Sequence, residues 1–160
     1  TKKKIEKKQE EGELLGVEGL KQYFRKNGIN RNSERTNTEL YLFSTLPPTI
    51  RIEVLEDYLQ KDSNALVLEK LSKAYGKADQ LEKLKERLAD WIEKGYTDQN
   101  MAEMLYESAE ILNRYADRLP IAKGMEQARA NFDAAMSVVK DPVDEEFREI
   151  MQSIFNEIVS

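Results

Sequence analysis

The chain has 160 residues, of which 40% are hydrophobic and 34% charged, and it contains no histidine and no cysteine. The length suits one compact domain, and the lack of both residue types excludes Ser-His-Asp and Cys-His catalysis, zinc held by histidine or cysteine, histidine-ligated haem, and iron–sulfur clusters. No stretch approaches the roughly 18 uncharged apolar residues of a membrane span, so we expect a cytoplasmic protein without membrane contact.

The first 36 residues are basic, whereas the rest of the chain is acidic. They hold ten basic and six acidic side chains, a net charge of +4, and residues 37–160 therefore carry −9. Residues 1–12 have Ile5 as their single apolar side chain and therefore predict a flexible arm. A basic region on an acidic body is typical of contact with nucleic acid or an acidic partner, although a terminal lysine run is also compatible with simple solvation. The candidate contact residues are Lys21, Arg25, Lys26, Arg31 and Arg35.

A short amphipathic helix is predicted to follow the arm. Its apolar residues lie three or four positions apart: Leu14, Val17, Leu20 and Phe24. Gly28 is placed to end it, since glycine is common just beyond a helix C-terminus. The polar stretch at residues 27–37 predicts a mobile loop. We therefore divide the chain into an N-terminal region, residues 1–36, and a helical bundle domain, residues 37–160.

Local sequence also predicts where the next helices begin. Thr36 and Glu39 match a capping box, in which the hydroxyl and the carboxylate each accept from a backbone amide of the first turn. Pro48 suits the first position of another helix, because its missing amide proton would be unpaired there anyway. The sequence leaves open whether residues 63–94 form one helix or two.

The C-terminal part carries the most regular apolar pattern. One heptad seam consists of Met101, Leu105, Ser108, Leu112, Tyr115 and Leu119, and a second of Ile121, Met125, Ala128, Phe132, Ala135 and Val139. Asp141 and Pro142 predict the start of a last helix. Because short connections force neighbouring helices to run antiparallel, we predict an all-α fold, an antiparallel up-and-down helical bundle with a short N-terminal helix. The predicted core includes Leu105, Leu112, Phe132, Phe147 and Ile154.

One stretch resembles the F-box family. It has Leu46-Pro47, an amphipathic helix that ends in Tyr58-Leu59, and a leucine-rich segment that ends in Leu71-Ser72-Lys73-Ala74-Tyr75. It departs from the family in having Pro48-Thr49 where an acidic residue is usual, and one extra residue before Ser72. The resemblance implies binding of a ubiquitin-ligase adaptor through residues 46–75, and we do not assign the chain to the family on this stretch.

The remaining motifs favour interaction over catalysis. The glycines form neither of the common phosphate-binding loops, no EF-hand calcium loop is present, and we expect no metal and no cofactor. We therefore expect a non-enzymatic protein–protein interaction module, such as an adaptor, scaffold or regulatory domain, with homo-oligomers possible. The alternative is an accessory nucleic-acid-binding protein or domain that uses residues 2–35.

Overall fold

The computed structural model describes residues 15–115 and 119–157. Within these ranges the chain forms eight helices and no strand, which confirms the predicted all-α fold. We number them in chain order as α1 (Gly16–Asn27), α2 (Glu34–Phe43), α3 (Pro48–Lys61), α4 (Ala65–Lys77), α5 (Leu81–Glu93), α6 (Gln99–Arg114), α7 (Met125–Val138) and α8 (Glu145–Glu157). The predicted flexible arm, residues 1–12, lies outside the described residues.

The helices pack as a bundle in which short turns join sequential neighbours. Helices α3, α4, α5 and α6 follow one another through turns of three to five residues, so that neighbours reverse direction. Helix α4 also packs directly on α6. Helix α1 lies between α3 and α8, and α7 contacts both α2 and α8. Contacts therefore cross the boundary predicted at residue 36, and the division into two regions stays a prediction.

Several predicted helix limits agree with the structure. Gly28 follows α1 with a φ of +80°, and its amide donates to the Phe24 carbonyl oxygen over 2.8 Å. Pro48 is the first residue of α3. The segment between residues 63 and 94 forms two helices, α4 and α5, separated at Asp79, whose φ is +56°. No helix within the described ranges has the length and apolar character needed to cross a bilayer.

Two predicted helix starts are wrong. Helix α2 begins at Glu34, because the Ser33 hydroxyl accepts from the Thr36 amide over 3.2 Å and caps the helix three residues before the predicted capping box. Glu39 is consequently buried inside α2. Helix α8 begins at Glu145, not directly after Asp141 and Pro142, because the Asp144 carboxylate accepts from the Glu146 amide over 2.9 Å.

The predicted seam on α6 is also wrong in phase. Leu105 is buried as predicted, but Ser108 and Tyr115 are exposed and Leu112 is only half-buried. The residues buried on α6 are Ala102, Leu105 and Ala109. Small side chains let α6 approach α4 closely, and this packing turns several larger apolar residues of α6 outward.

Aromatic side chains connect the N-terminal and C-terminal helices in one core. The ring of Phe24 in α1 lies 5.5 Å from that of Phe43 in α2, and Tyr23 lies 5.5 Å from Phe147 in α8. Phe132 of α7 lies 5.2 Å from Phe155 of α8. Of the five predicted core residues, all but Leu112 are buried.

Candidate interaction surface

The most conspicuous surface feature is a line of outward-facing apolar residues along α6. Met104, Ile111 and Tyr115, the last at the C-terminal cap of α6, are 58%, 56% and 68% exposed. Together with Met101 and Ser108 they lie alternately three and four residues apart, which places them along one side of the helix. We call these five residues, Met101, Met104, Ser108, Ile111 and Tyr115, the apolar stripe.

A groove separates the apolar stripe from α4. Its volume is about 400 Å³, and Met101, Met104 and Ser108 form its α6 side. Ala65, Glu69, Ser72 and Lys73 form its α4 side. The rim is charged, because the Glu69 carboxylate lies 3.1 Å from the Lys73 ammonium and 3.4 Å from the Arg31 guanidinium. A partner that covered the stripe would therefore meet an apolar floor with a polar border on this side.

The opposite side of the stripe is acidic. Glu103 and Glu107 are exposed and line a smaller cleft, of about 240 Å³, between α5 and α6. Glu110 follows on the same helix and pairs with Arg114 over 2.8 Å. We call Glu103, Glu107 and Glu110 the acidic edge. The borders of the stripe therefore differ in charge: one has both acidic and basic groups, and the other is acidic.

The five predicted contact cations lie in the N-terminal third of the bundle, and each has a carboxylate within 4 Å. Lys21 lies 2.9 Å from Glu18 and 3.0 Å from Glu53 of α3. The Arg25 guanidinium makes two hydrogen bonds to the Asp57 carboxylate, of 2.7 and 2.9 Å. These hydrogen bonds raise the pKa of both side chains. Lys21 and Arg25 therefore tie α1 to α3.

The other three predicted cations are paired as well. Lys26 lies 3.8 Å from Glu146 of α8, and Arg31 lies 3.4 Å from Glu69 of α4. Arg35 lies 2.7 Å from Glu39 within α2. The structure thus places the five residues over several helices and next to acidic partners, and it does not bring them together as one patch of like charge.

Two partly buried polar networks join helices of the bundle. Glu39 is 2% exposed, accepts from the Tyr23 hydroxyl and pairs with Arg35. Burial raises the pKa of the Glu39 carboxyl, against the opposing effects of Tyr23 and Arg35. Its contacts join α1 to α2.

The second network connects α3, α4 and α5. Glu56 accepts two hydrogen bonds from the Arg87 guanidinium, of 3.0 and 2.5 Å, and one of 2.9 Å from the Tyr75 hydroxyl. Arg87 also lies over the Trp91 ring, 5.6 Å from its centroid. Glu56, Tyr75 and Arg87 thus satisfy one another, whereas the buried Trp91 Nε1 has no hydrogen-bond partner among the described residues. No group of three acidic side chains among the described residues is arranged to hold a metal ion.

Sequence reasoning missed the apolar stripe because it assigned Met101, Ser108 and Tyr115 to the core. The available indication was the pair Ala102 and Ala109, seven residues apart, which marks a second face of α6 suited to close helix packing. No family model matches the chain, and no match was found among curated proteins or solved structures. The F-box resemblance of residues 46–75 therefore remains a local similarity of sequence.

Proposed function

We propose that the protein is a non-enzymatic interaction module whose apolar stripe binds an amphipathic helix of a partner protein. The observation that carries the proposal is the heptad spacing of large, exposed apolar residues on a helix that buries a different face in the bundle. A helix that docks by its apolar face needs anchor positions at this spacing. The adjoining groove has room for apolar side chains of the partner helix.

The side chains of the stripe suit this role. Met101 and Met104 lie where the stripe meets the groove, and methionine adapts its shape to different apolar surfaces. Tyr115 offers a large apolar ring with a polar hydroxyl, a combination that is enriched at protein interfaces. Met104 and Tyr115 are exposed, whereas Met101 is partly buried against the core and anchors the end of the stripe.

The acidic edge specifies the chemistry of the partner. A helix that covers the stripe would bring its own flanking positions next to Glu103, Glu107 and Glu110. Lysine or arginine at those positions would be attracted, whereas acidic residues would be repelled. We therefore infer that the partner helix is apolar on one face and basic along one border.

A pair of synthetic helices tests this proposal. Both peptides contain about three heptads with leucine at the a and d positions; one carries lysine at the flanking positions and the other glutamate. Binding is measured by fluorescence anisotropy. We expect the lysine peptide to bind at least about fivefold more tightly than the glutamate peptide, with the difference shrinking as salt is raised.

Matched variants locate the binding surface. Met104→Ser with Ile111→Ser should weaken binding of the lysine peptide about tenfold or more, since both anchors lie on the stripe. Val138→Ser is the control, because Val138 of α7 is equally exposed and lies outside the stripe. Equal loss in both variants, or no saturable binding by the unmodified chain, would contradict the proposal.

A second copy of the chain is the competing occupant of the stripe. Sedimentation velocity over a range of protein concentrations distinguishes it from a foreign helix. A dimer that forms in the unmodified chain and is lost in the Met104→Ser, Ile111→Ser variant would assign the stripe to self-association. A monomer at all concentrations supports a separate partner.

A further inference from the structure

The smaller cleft, between α5 and α6, opens on the side of α6 away from the apolar stripe. Tyr106 lines this cleft, whereas Met104, two positions earlier, belongs to the stripe. Residues two positions apart in a helix point to nearly opposite sides. None of the five stripe residues is among the described residues that line the cleft. The cleft is therefore a candidate site separate from the surface that we propose for the partner helix.

The inner surface of the cleft is apolar. Five side chains of this character line it: Leu88, Ala89, Ile92, Ala102 and Tyr106. Leu88 and Ala102 are each 4% exposed, so they lie at its bottom, and alanine on both helices leaves room between them. The volume of about 240 Å³ is below the roughly 300–1,000 Å³ of sites for drug-sized ligands. The cleft therefore suits a small apolar group, such as a single ring system.

Two carboxylates line the α6 side of the cleft. Glu103 and Glu107 are exposed and four residues apart, which places them on one face of α6. The Gln99 amide donates to the Glu103 carboxylate over 2.9 Å and helps to orient it. Neither carboxylate has an ion-pair partner in the part of the chain that the structure describes. Both can therefore accept hydrogen bonds from a cationic ligand.

The α5 side of the cleft carries a single cation. The Lys85 ammonium lies over the Tyr106 ring, 5.3 Å from its centroid, and this contact holds it beside an aromatic face. Carboxylates outnumber ammonium groups two to one among the described residues that line the cleft. The local charge therefore favours a cation and disfavours an anion.

We propose that this cleft binds a small organic amine, with its apolar body between α5 and α6 and its ammonium group against Glu103 and Glu107. An ammonium group has three donors and no acceptor, so it can satisfy two neighbouring carboxylates with charge-assisted hydrogen bonds. The apolar inner surface accommodates the ring or alkyl part. This arrangement, an apolar cavity with a few polar groups that fix orientation, is typical of small-molecule sites.

Three ligands that share one ring but differ in charge test the proposal. Tryptamine is cationic, indole is neutral and indole-3-propionate is anionic, and their binding is followed by the shifts of backbone amide NMR signals. Tryptamine should bind at least about fivefold more tightly than indole, and indole-3-propionate more weakly than indole. Raising the salt concentration should reduce the advantage of tryptamine, because charge attraction is screened. Equal affinities for the cation and the anion would overturn the assigned carboxylate contact.

Charge variants separate this site from general attraction to an acidic protein. Glu103→Gln with Glu107→Gln should weaken tryptamine at least about fivefold and leave indole unchanged. The control, Glu126→Gln with Asp133→Asn, removes the same charge from exposed positions of α7. It should change tryptamine affinity by less than about twofold. Equal losses in the two double variants would overturn the proposal.

A variant that fills the cleft tests its shape independently. Ala89 is exposed and lines the cleft, so Ala89→Leu should weaken both tryptamine and indole at least about fivefold without harming the fold. Ala130→Leu is the control, because Ala130 is an exposed residue of α7 outside the cleft. Circular dichroism verifies that each variant is folded. Ala89→Leu leaves the apolar stripe intact, so helical peptides should still bind to it. Unchanged tryptamine binding in Ala89→Leu, or no saturable tryptamine binding by the unmodified chain, would overturn the amine site.

Discussion

Gly76 of α4 lies directly against the backbone of Ala109 in α6. A β-carbon at position 76 would lie 2.4 Å from the Ala109 carbonyl oxygen, which is far inside van der Waals contact. Both residues are buried, Gly76 in α4 and Ala109 in α6. This close approach sets the separation of the two helices and fixes which face of α6 is turned toward the solvent.

Gly76→Ala is therefore expected to destabilise the protein, although alanine is the better helix former. Overpacking costs about 1 to 3 kcal/mol or more, and the higher helix propensity of alanine offsets roughly 1 kcal/mol of that. Because the added β-carbon meets backbone atoms of Ala109 and not a flexible side chain, the cost should lie near the upper end of that range, and we expect a net loss of about 2 kcal/mol in the free energy of unfolding by urea. Gly124→Ala is the control, since a β-carbon there would meet no atom within 4 Å. An unchanged stability at position 76 would mean that the helices do not pack this closely.

Phe132→Ala tests the core between α7 and α8. Phe132 is 1% exposed and packs on Phe155, so its truncation should lower the free energy of unfolding by about 3 to 5 kcal/mol. Tyr115→Ala removes a similarly large ring from the apolar stripe and should cost less than about 0.5 kcal/mol. Both values come from urea denaturation followed by circular dichroism. A loss at Phe132 no larger than that at Tyr115 would contradict the assigned core.

The fold class and most helices could be predicted because they depend on local patterns. Proline at position 48 and glycine at position 28 have strong backbone preferences that neighbouring helices do not override. The start of α2 was mispredicted because Ser33 and Thr36 are both good caps, and only tertiary packing decides between them. That packing buries Glu39 next to Tyr23, a contact between α1 and α2 that no local pattern records.

The candidate surfaces were harder to predict than the fold. Helix α6 carries apolar residues on two faces, and the sequence does not say which face is buried. The choice depends on Gly76, located 33 positions before Ala109 in the chain. Among the candidate cations, Arg25 pairs with Asp57 of α3, a contact that depends on how the helices pack. Arg35 pairs with Glu39 four residues later in the same helix, a spacing that the sequence itself shows.

Glu39 provides a prediction about pH. Burial raises the pKa of its carboxyl in the folded protein above the ordinary value of 4.5. At pH values between the pKa of Glu39 in the unfolded chain and its higher pKa in the folded protein, the folded state binds more protons than the unfolded state. The contribution of Glu39 to stability therefore decreases as pH rises through that window. Glu39→Gln removes this dependence. We therefore expect the variant to lose more stability relative to the unmodified chain at pH 4 than at pH 7, as measured by urea denaturation.

The opposite pH trend would contradict the raised pKa. If Arg35 and Tyr23 dominated over burial, the folded pKa would fall below 4.5, and Glu39 would contribute more stability at neutral pH than in acid. Glu34→Gln serves as the control, because Glu34 is an exposed residue of the same helix. The change in stability that Glu34→Gln causes should be nearly the same at pH 4 and at pH 7.

The N-terminal cations give the test of nucleic-acid binding. If Arg25, Lys26 and Arg31 contacted phosphates, replacing all three by alanine would reduce the slope of log affinity against log salt by about 0.7 per contact for a single strand and 0.9 for a duplex. Each of these cations already lies within 4 Å of a carboxylate, and phosphate would have to displace that partner. We therefore expect weak binding of a generic oligonucleotide near physiological salt and no change of slope in the variant. Binding of micromolar affinity that is sensitive to salt and disappears in the variant would make nucleic-acid association the leading function.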